Sequence, residues 1–281
     1  MLKLLERNIA SIEERLVLIA PRQSAIGWYF QDVHVDPTRR RRLLHTMQRL
    51  RGRIYLDDGA ICREDLSVDG RHQTPEDDKS WHLLMLNGHG RVSACVWYLE
   101  HTATAAFDHL RARHTPLAGH QQWGGRLWRA VESELAIARE HRLRYAEVGG
   151  WAVSADSRRT SEGLLLALAA YSLGRIGNGT LGMTTATVRH ASSTILRRLG
   201  GAPLEADGEM IPSYFDPRYR CQMEMLRFDS RQPSGRYAPL IDRLKDKLAR
   251  VSVLAKSPVP FRAGTTPWHG GRIPGRQLAV A

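Results

Sequence analysis

Hydrophobic positions along the chain change period several times, and each change marks an element. Leu2, Leu5, Ile9, Ile12, Leu16 and Ile19 recur at steps of three and four, which predicts an amphipathic helix ended by Pro21. A second helix is expected from Pro37, with Arg39, Arg40, Arg41 and Arg42 in its first turns, where four cations oppose the helix dipole. Between Asp57 and Lys79 the chain is polar and turn-rich and reads as a long loop, of the kind that forms lids and substrate entrances. Apolar runs from Trp81 to Leu86 and from Val92 to Leu99, joined by Asn87-Gly88-His89-Gly90, predict a hairpin. Leu127, Val131, Leu135 and Ala138 then mark one face of a helix over 127–141.

The stretch from Arg144 to Gly163 reads as a strand, a short turn and a helix start. Tyr145, Val148, Trp151 and Val153 favour a strand, Asp156 and Ser157 a turn, and the apolar run from Leu164 to Ala170 a helix lasting to about residue 175. Gly149-Gly150 in mid-strand costs stability and marks a bulge or the close approach of another group. The turn delivers Arg158, Arg159, Thr160, Ser161 and Gly163 to a helix N-terminus, where free N–H groups and the dipole favour an anion. A Thr-rich strand over 181–188, a helix over 191–199 stopped by Gly200-Gly201, a strand over 219–228 and a last helix on Leu240, Leu244 and Leu248 follow. This alternation of helices and strands predicts an α/β sheet. Beyond Ser257, prolines and glycines predict a tail without fixed structure.

Arg158-Arg-Thr-Ser161-Glu-Gly163, in its strand–turn–helix setting, resembles the phosphate loop of the GCN5-related N-acyltransferase (GNAT) superfamily, Gln/Arg-x-x-Gly-x-Gly/Ala, with Ser161 in place of the middle glycine. Within that superfamily, Glu147-Val-Gly-Gly-Trp-Ala-Val153 is similar to the Glu-x-Ser-Arg-Phe-Ala-Val strand of the autoinducer synthases and N-acyl amino acid synthases, with Gly149-Gly150 replacing Ser-Arg. Arg51-Gly-Arg-Ile-Tyr55 is similar to their Arg-x-x-Val-Phe segment, and the hairpin to the second and third strands, with Trp97 where autoinducer synthases carry an arginine. Residues 189–201 resemble the fourth helix, with Leu196 at the place of the tyrosine that often serves as general acid.

The resemblance spans about residues 45–228. It implies a mixed central sheet flanked by helices: an N-terminal helical extension over 1–44, an acyltransferase domain over 45–230, and a C-terminal helix with a disordered tail over 231–281. A pantetheine arm would add along the backbone of Trp151, Ala152, Val153 and Ser154, as an extra strand does. Its phosphate would sit at Thr160, Ser161, Glu162 and Gly163 with help from Arg158 or Arg159.

An acceptor amine is protonated at neutral pH and cannot attack until it loses a proton, a task that suits Glu147 as general base. The competing role for Glu147 is an ion pair with Arg144 or a neighbouring strand. His82, His101 and His190 are further candidate bases, and an N–H near Gly150 or Trp151 would serve as oxyanion donor.

Charge changes this picture more than composition does. Hydrophobic content of 42% is ordinary, but 41 Lys+Arg against 29 Asp+Glu leave +12 over 281 residues, which suits an acidic partner. An acyl carrier protein is one, and nucleic acid another, although no aromatic residues interleave with the cations as in nucleic-acid binders. Cys62, Cys95 and Cys221 stand far apart and indicate neither a disulfide framework nor a zinc site, which fits a reducing cytoplasm. No apolar run reaches the roughly 18 residues of a membrane helix, and early charges exclude a signal-peptide core.

The expected activity is therefore transfer of an acyl, notably fatty acyl, group from an acyl carrier protein or CoA thioester to the amine of an amino acid or related metabolite. The thioester is a co-substrate, and no tightly bound cofactor or metal is expected. The alternatives are an acetyl-CoA-dependent N-acetyltransferase and a non-catalytic nucleic-acid-binding protein of the same fold.

Overall fold

The helix expected over residues 2–19 ends early. In the computed structural model, which describes residues 2–23, 26–158 and 160–256 and of His190 only the backbone, helix α1 covers Leu2–Ala10. Leu16–Ile19 is instead strand β1, with all four residues buried. An unbroken apolar run has no polar face to give to solvent, so it suits a sheet covered on both sides, and its internal three-residue step only mimics a helical one. The tail expected beyond Ser257 lies outside the described residues.

The chain continues through β2 (Val33–Val35), α2 (Pro37–Asp57), β3 (Trp81–Leu86), β4 (Val92–His101), α3 (Gly124–Glu140) and β5 (Arg144–Val153). Then come α4 (Glu162–Gly174), β6 (Thr180–Thr187), α5 (Ser192–Leu199), β7 (Ala202–Pro203), β8 (Glu205–Ala206), β9 (Glu209–Met210), β10 (Tyr214–Asp216), β11 (Cys221–Asp229), α6 (Ala238–Leu248) and β12 (Ser252–Ala255). The main sheet runs β10-β11-β6-β5-β4-β3-β1-β12-β2, with β7 beside β11. It is mixed, as expected: β5–β6, β1–β12 and β12–β2 are parallel, and the other pairs along the path antiparallel. The segments before residue 45 and after residue 230 thus give strands to the same sheet, with β12 inserted between β1 and β2.

Helices cover both faces. On one, α4 lies between the sheet and α6, which explains why nearly every residue of α4 is buried and apolar. On the other, α2 packs over Val17, Ile19 and Leu84, and α3 over Tyr145, Leu181 and Met183. Helix α2 starts where Pro37 sits in the first turn and the Asp36 carboxylate accepts from the Arg39 N–H (2.8 Å). Of its four early arginines, Arg40 is buried and donates to the Ala20 carbonyl (3.1 Å), while Arg41 and Arg42 are exposed.

The loop between α2 and β3 folds back onto α2. Arg51, 1% exposed, donates to both oxygens of Asp77 (2.9 and 2.8 Å) and to the His72 carbonyl (2.6 Å), and Gln48 adds a bond to Asp77 (2.9 Å). A Cβ at Gly52 would stand 2.8 Å from the Gly70 carbonyl oxygen, so only glycine lets the loop come this close.

Candidate active site

β5 and β6 pair from Arg144/Thr180 to Val148/Thr184 and no further, although β5 runs on to Val153 and β6 to Thr187. Past that point the strands diverge around a cavity of about 730 Å³. On its other edge β5 stays paired with β4 as far as Ala94/Val153, with a register shift between Cys95 and Trp97. The extra residue belongs to β5, where Gly150 has φ +63°, a left-handed conformation suited to a bulge.

Beyond the bulge the Ser154 N–H donates to the Ser93 carbonyl (2.8 Å). By strand alternation Ala152 also faces β4, while Trp151 and Val153 turn their N–H and C=O groups to the gap. Only half of the backbone expected to be free from Trp151 to Ser154 is therefore available.

The glycine pair answers to Trp97. A Cβ at Gly149 would lie 2.4 Å from the Trp97 ring, and one at Gly150 2.2 Å. The two departures from the autoinducer-synthase pattern, glycines for Ser-Arg on β5 and tryptophan for arginine on β4, are thus one feature: the indole fills the space that side chains on β5 would need. Arg111 places its guanidinium over that ring, 5.4 Å from the centroid, and pairs with Glu76.

Trp151, Val153, Arg158, Thr160, Ser161 and Gly163 all line the cavity. Ser161 makes no side-chain cap at the start of α4, and apart from the Glu162 N–H, which donates to the Thr160 hydroxyl (3.2 Å), the first turn keeps N–H groups for an anion. The Ser161 hydroxyl accepts from Asn8 Nδ2 (2.7 Å), tying α1 to the loop. Gly163 keeps the helix close to β5, because a Cβ there would meet Val153 and Trp151 at 3.2 and 3.3 Å. Glu162 turns the other way: its buried carboxylate binds Arg15 and the Ser93 hydroxyl (2.7 Å) behind the loop. Arg159 lies outside the described residues.

Glu147 also lines the cavity but is only 4% exposed. Its Oε2 accepts from His101 Nε2 (2.9 Å) and the Arg111 N–H (2.9 Å), and its Oε1 from the Ala112 N–H (3.1 Å). The ion pair with Arg144 does not form; Arg144 pairs with Glu100 and donates to the carbonyls at the end of α4. Three donors occupy three of the roughly four acceptor positions of a carboxylate, which fixes its orientation and leaves room for one more hydrogen on Oε1.

The overall fold recurs in solved structures. The CoA-dependent acyl-homoserine lactone synthase BjaI, solved with SAM and isopentyl-CoA, superposes with a TM-score of 0.53 at 14% identity, over 87% of this chain and 94% of that one. The same enzyme solved with MTA gives 0.51 at 16% identity over the same shares. The fold is that of an acyl-homoserine lactone synthase. The synthase LasI aligns over 70% of this chain and 87% of its own at 17% identity, with a TM-score of 0.47. No protein-family model matches the chain, and no curated protein matches it.

The cavity wall also includes His72 and Tyr219, which sequence reasoning missed. His72, from the loop, packs at a tilt against Tyr55 of α2 (5.6 Å between centroids, 57° between planes), and Tyr55 meets Tyr219 edge-on (6.5 Å). Nothing local marks His72; the length of its loop was the only signal. Leu196, at the place of the expected general acid, lines the cavity as an apolar wall. On the α4 face a second, apolar cavity of about 50 Å³ lies between Val96, Val148, Tyr171 and Phe228, and Trp151 borders both.

Burial pushes His82 down to about 4, and burial with the Arg51 charge does the same to His72. His82 is neutral with its Nε2–H donating to the Asp77 carbonyl (2.7 Å). The unfolded chain protonates both rings near 6.5, so the stability they contribute is complete above that pH and is lost as pH falls towards 4. Melting temperature should drop between pH 6.5 and 4, and His82→Gln should flatten that dependence.

Proposed function

We propose that the protein is an N-acyltransferase that moves an acyl group from a CoA or acyl-carrier-protein thioester to the amine of an amino acid or related metabolite. The observation that carries this reading is the gap between β5 and β6, which brings an uncapped helix N-terminus, unpaired strand backbone and a buried carboxylate to one cavity. The pantetheine amides pair with the backbone of Trp151 and Val153, and the phosphate rests on the first turn of α4 beside Arg158. The thioester carbonyl lies at the Gly150 bulge, where a backbone N–H meets the charge that develops on its oxygen. Glu147 takes a proton from the acceptor ammonium; the free amine attacks the carbonyl carbon, the C–S bond breaks, and the proton that the new amide nitrogen sheds passes to the departing thiolate, giving amide and thiol.

BjaI is CoA-dependent and was solved with isopentyl-CoA, so CoA thioesters are the first donors to test. The +12 charge gives an acidic carrier protein equal standing. Thiol release from acyl-CoA and acyl-carrier donors of increasing chain length, with an amino-acid panel and mass detection of products, tests both donor and length. No release with any pair sinks the reading.

Donor binding depends on the loop at the start of α4. Arg158→Ala should weaken CoA binding by about 1–2 kcal/mol, less than for a buried charged contact because the side chain is 42% exposed. Gly163→Val should abolish binding by driving Trp151 and Val153 into the groove. Calorimetric titration with CoA checks both, and unchanged affinity in both variants would remove the loop from the site.

A further inference from the structure

Glu147 is not the only buried carboxylate on the cavity wall. Asp216, 5% exposed, stands on the edge strand β10 and lines the same cavity. Strand alternation puts Tyr214 and Asp216 on one face, both buried and both lining the cavity, and leaves Phe215 exposed on the other. Oδ1 of Asp216 accepts from the Arg218 N–H (2.9 Å); among the described residues that is its one hydrogen bond, and it forms no ion pair. The Arg218 guanidinium turns elsewhere and donates to the His114 carbonyl (3.1 Å). Other cations of the wall are also engaged, Arg111 with Glu76 and Arg189 with the Asp58 and Tyr219 carbonyls. A carboxylate buried this deeply is normally paired with a cation. The groups beside Asp216 suit one: burial first, and the Asp216 charge in addition, hold the Tyr214 and Tyr219 phenols above their ordinary values, so both rings stay neutral. The Tyr214 hydroxyl has no partner. A carboxylate beside neutral aromatic rings favours an ammonium group, by charge and through the ring faces.

Glu147 and Asp216 are tied to opposite ends of one short turn. Glu147 accepts from the N–H groups of Arg111 and Ala112, at the start of the 3-10 turn Arg111–His114. Arg218, whose N–H holds Asp216, bonds the carbonyl of His114 at the end of that turn. Such a turn rises about 2 Å per residue, so its first and last residues stand about 6 Å apart. One small flexible molecule can therefore reach both carboxylates.

We propose that Asp216 binds a second positive charge on the acceptor, and that the acceptor is a diamino compound, a basic amino acid or a linear diamine. The inference rests on the acyl-transfer reading above and names the acceptor class for it. One ammonium gives its proton to Glu147 and is acylated as described; the other keeps its charge against Asp216 and leaves unchanged in the product. Asp216 touches the acceptor away from the reacting atoms, so it sets specificity and not the chemical step. A single-amine acceptor leaves the carboxylate without a counter-ion and binds less tightly.

The test compares diaminopropane to diaminohexane, ornithine and lysine with alkylamines and norleucine of matching length. Affinities come from calorimetric titration in the presence of CoA, and kinetics from thiol release with acyl-CoA donors, on the unaltered protein and on Asp216→Asn. Asn keeps the shape of Asp and an oxygen for the Arg218 N–H. Asp216→Ser, whose hydroxyl can accept the same N–H, replaces it if the Asn variant melts early. In the unaltered protein the best diamino acceptor should bind about 10- to 100-fold tighter than its single-amine counterpart, with the gain in KM and not in kcat, and in Asp216→Asn that ratio should fall to about 2-fold or less. Lysine against diaminopentane, which differ by one carboxylate, separates amino acids from diamines. A ratio near one in the unaltered protein overturns the proposal, as does a ratio that survives in both variants. If no thiol is released with any donor while diamino compounds bind through Asp216, the acyl-transfer reading fails and the cation site stands; if transfer proceeds without a diamino preference, only this inference fails.

Discussion

Glu147→Gln should lower the acyl-transfer rate per folded molecule at least about 10²-fold at pH 7, with partial recovery at higher pH as free amine accumulates. It should also cost stability, for a reason the sequence did not disclose. The carboxylate accepts three hydrogen bonds, two of them from backbone N–H groups. A glutamine presents one oxygen and one NH2, so whichever way it turns a donor faces a donor in a site only 4% exposed. That mismatch costs about 1–3 kcal/mol and lowers the melting temperature by several degrees. The two losses separate by control. His101→Gln removes one partner of Glu147 while leaving the carboxylate, and should lose stability with a much smaller loss of rate. Thermal melts and pH profiles of thiol release on the same preparations decide the matter: if the rate lost in Glu147→Gln only tracks the folded fraction, Glu147 is a structural residue.

Gly149→Ala is the second large effect. Its β-carbon would stand 2.4 Å from the Trp97 ring, deep inside contact distance, and Trp97 is only 7% exposed with Arg111 stacked on it. Either the ring or the bulge must move, at about 3 kcal/mol. Trp97→Ala alone leaves a cavity and costs about 3–5 kcal/mol. Together the two should cost clearly less than their sum, because the methyl then enters space the indole has left. Denaturant unfolding of the four proteins in this cycle checks it, and additive costs would mean that Trp97 does not hold the place described.

The strand–turn–helix from Arg144 to Gly174 was legible because strand formers, turn residues and a Leu/Ala run follow one another without conflict. The glycine pair was read as a bulge or close approach; that the approaching group is Trp97 was not, since the register of β4 against β5 is set by the whole sheet. β2 and β12 were missed because segments of three and four residues are too short to show a period. The sequence predicts a helix at β1 because a continuous apolar run satisfies helical spacing by chance. The loop and helix start proposed to hold the donor lie in one contiguous stretch and were visible. The rest of the cavity wall was not, because His72, Arg111 and Tyr219 reach it only through folding.

The place of β12 between β1 and β2 also dictates when the molecule can become complete. Val17 pairs with Ser252, and Val33 with Val253. A growing chain therefore holds two strands from its first 35 residues with no strand to join them until Ser252–Ala255 has been made. β1 meanwhile offers a fully apolar, unpaired edge, which invites pairing with other chains. Contacts this distant in sequence slow folding, so yield should be governed by how well β1 is shielded during synthesis.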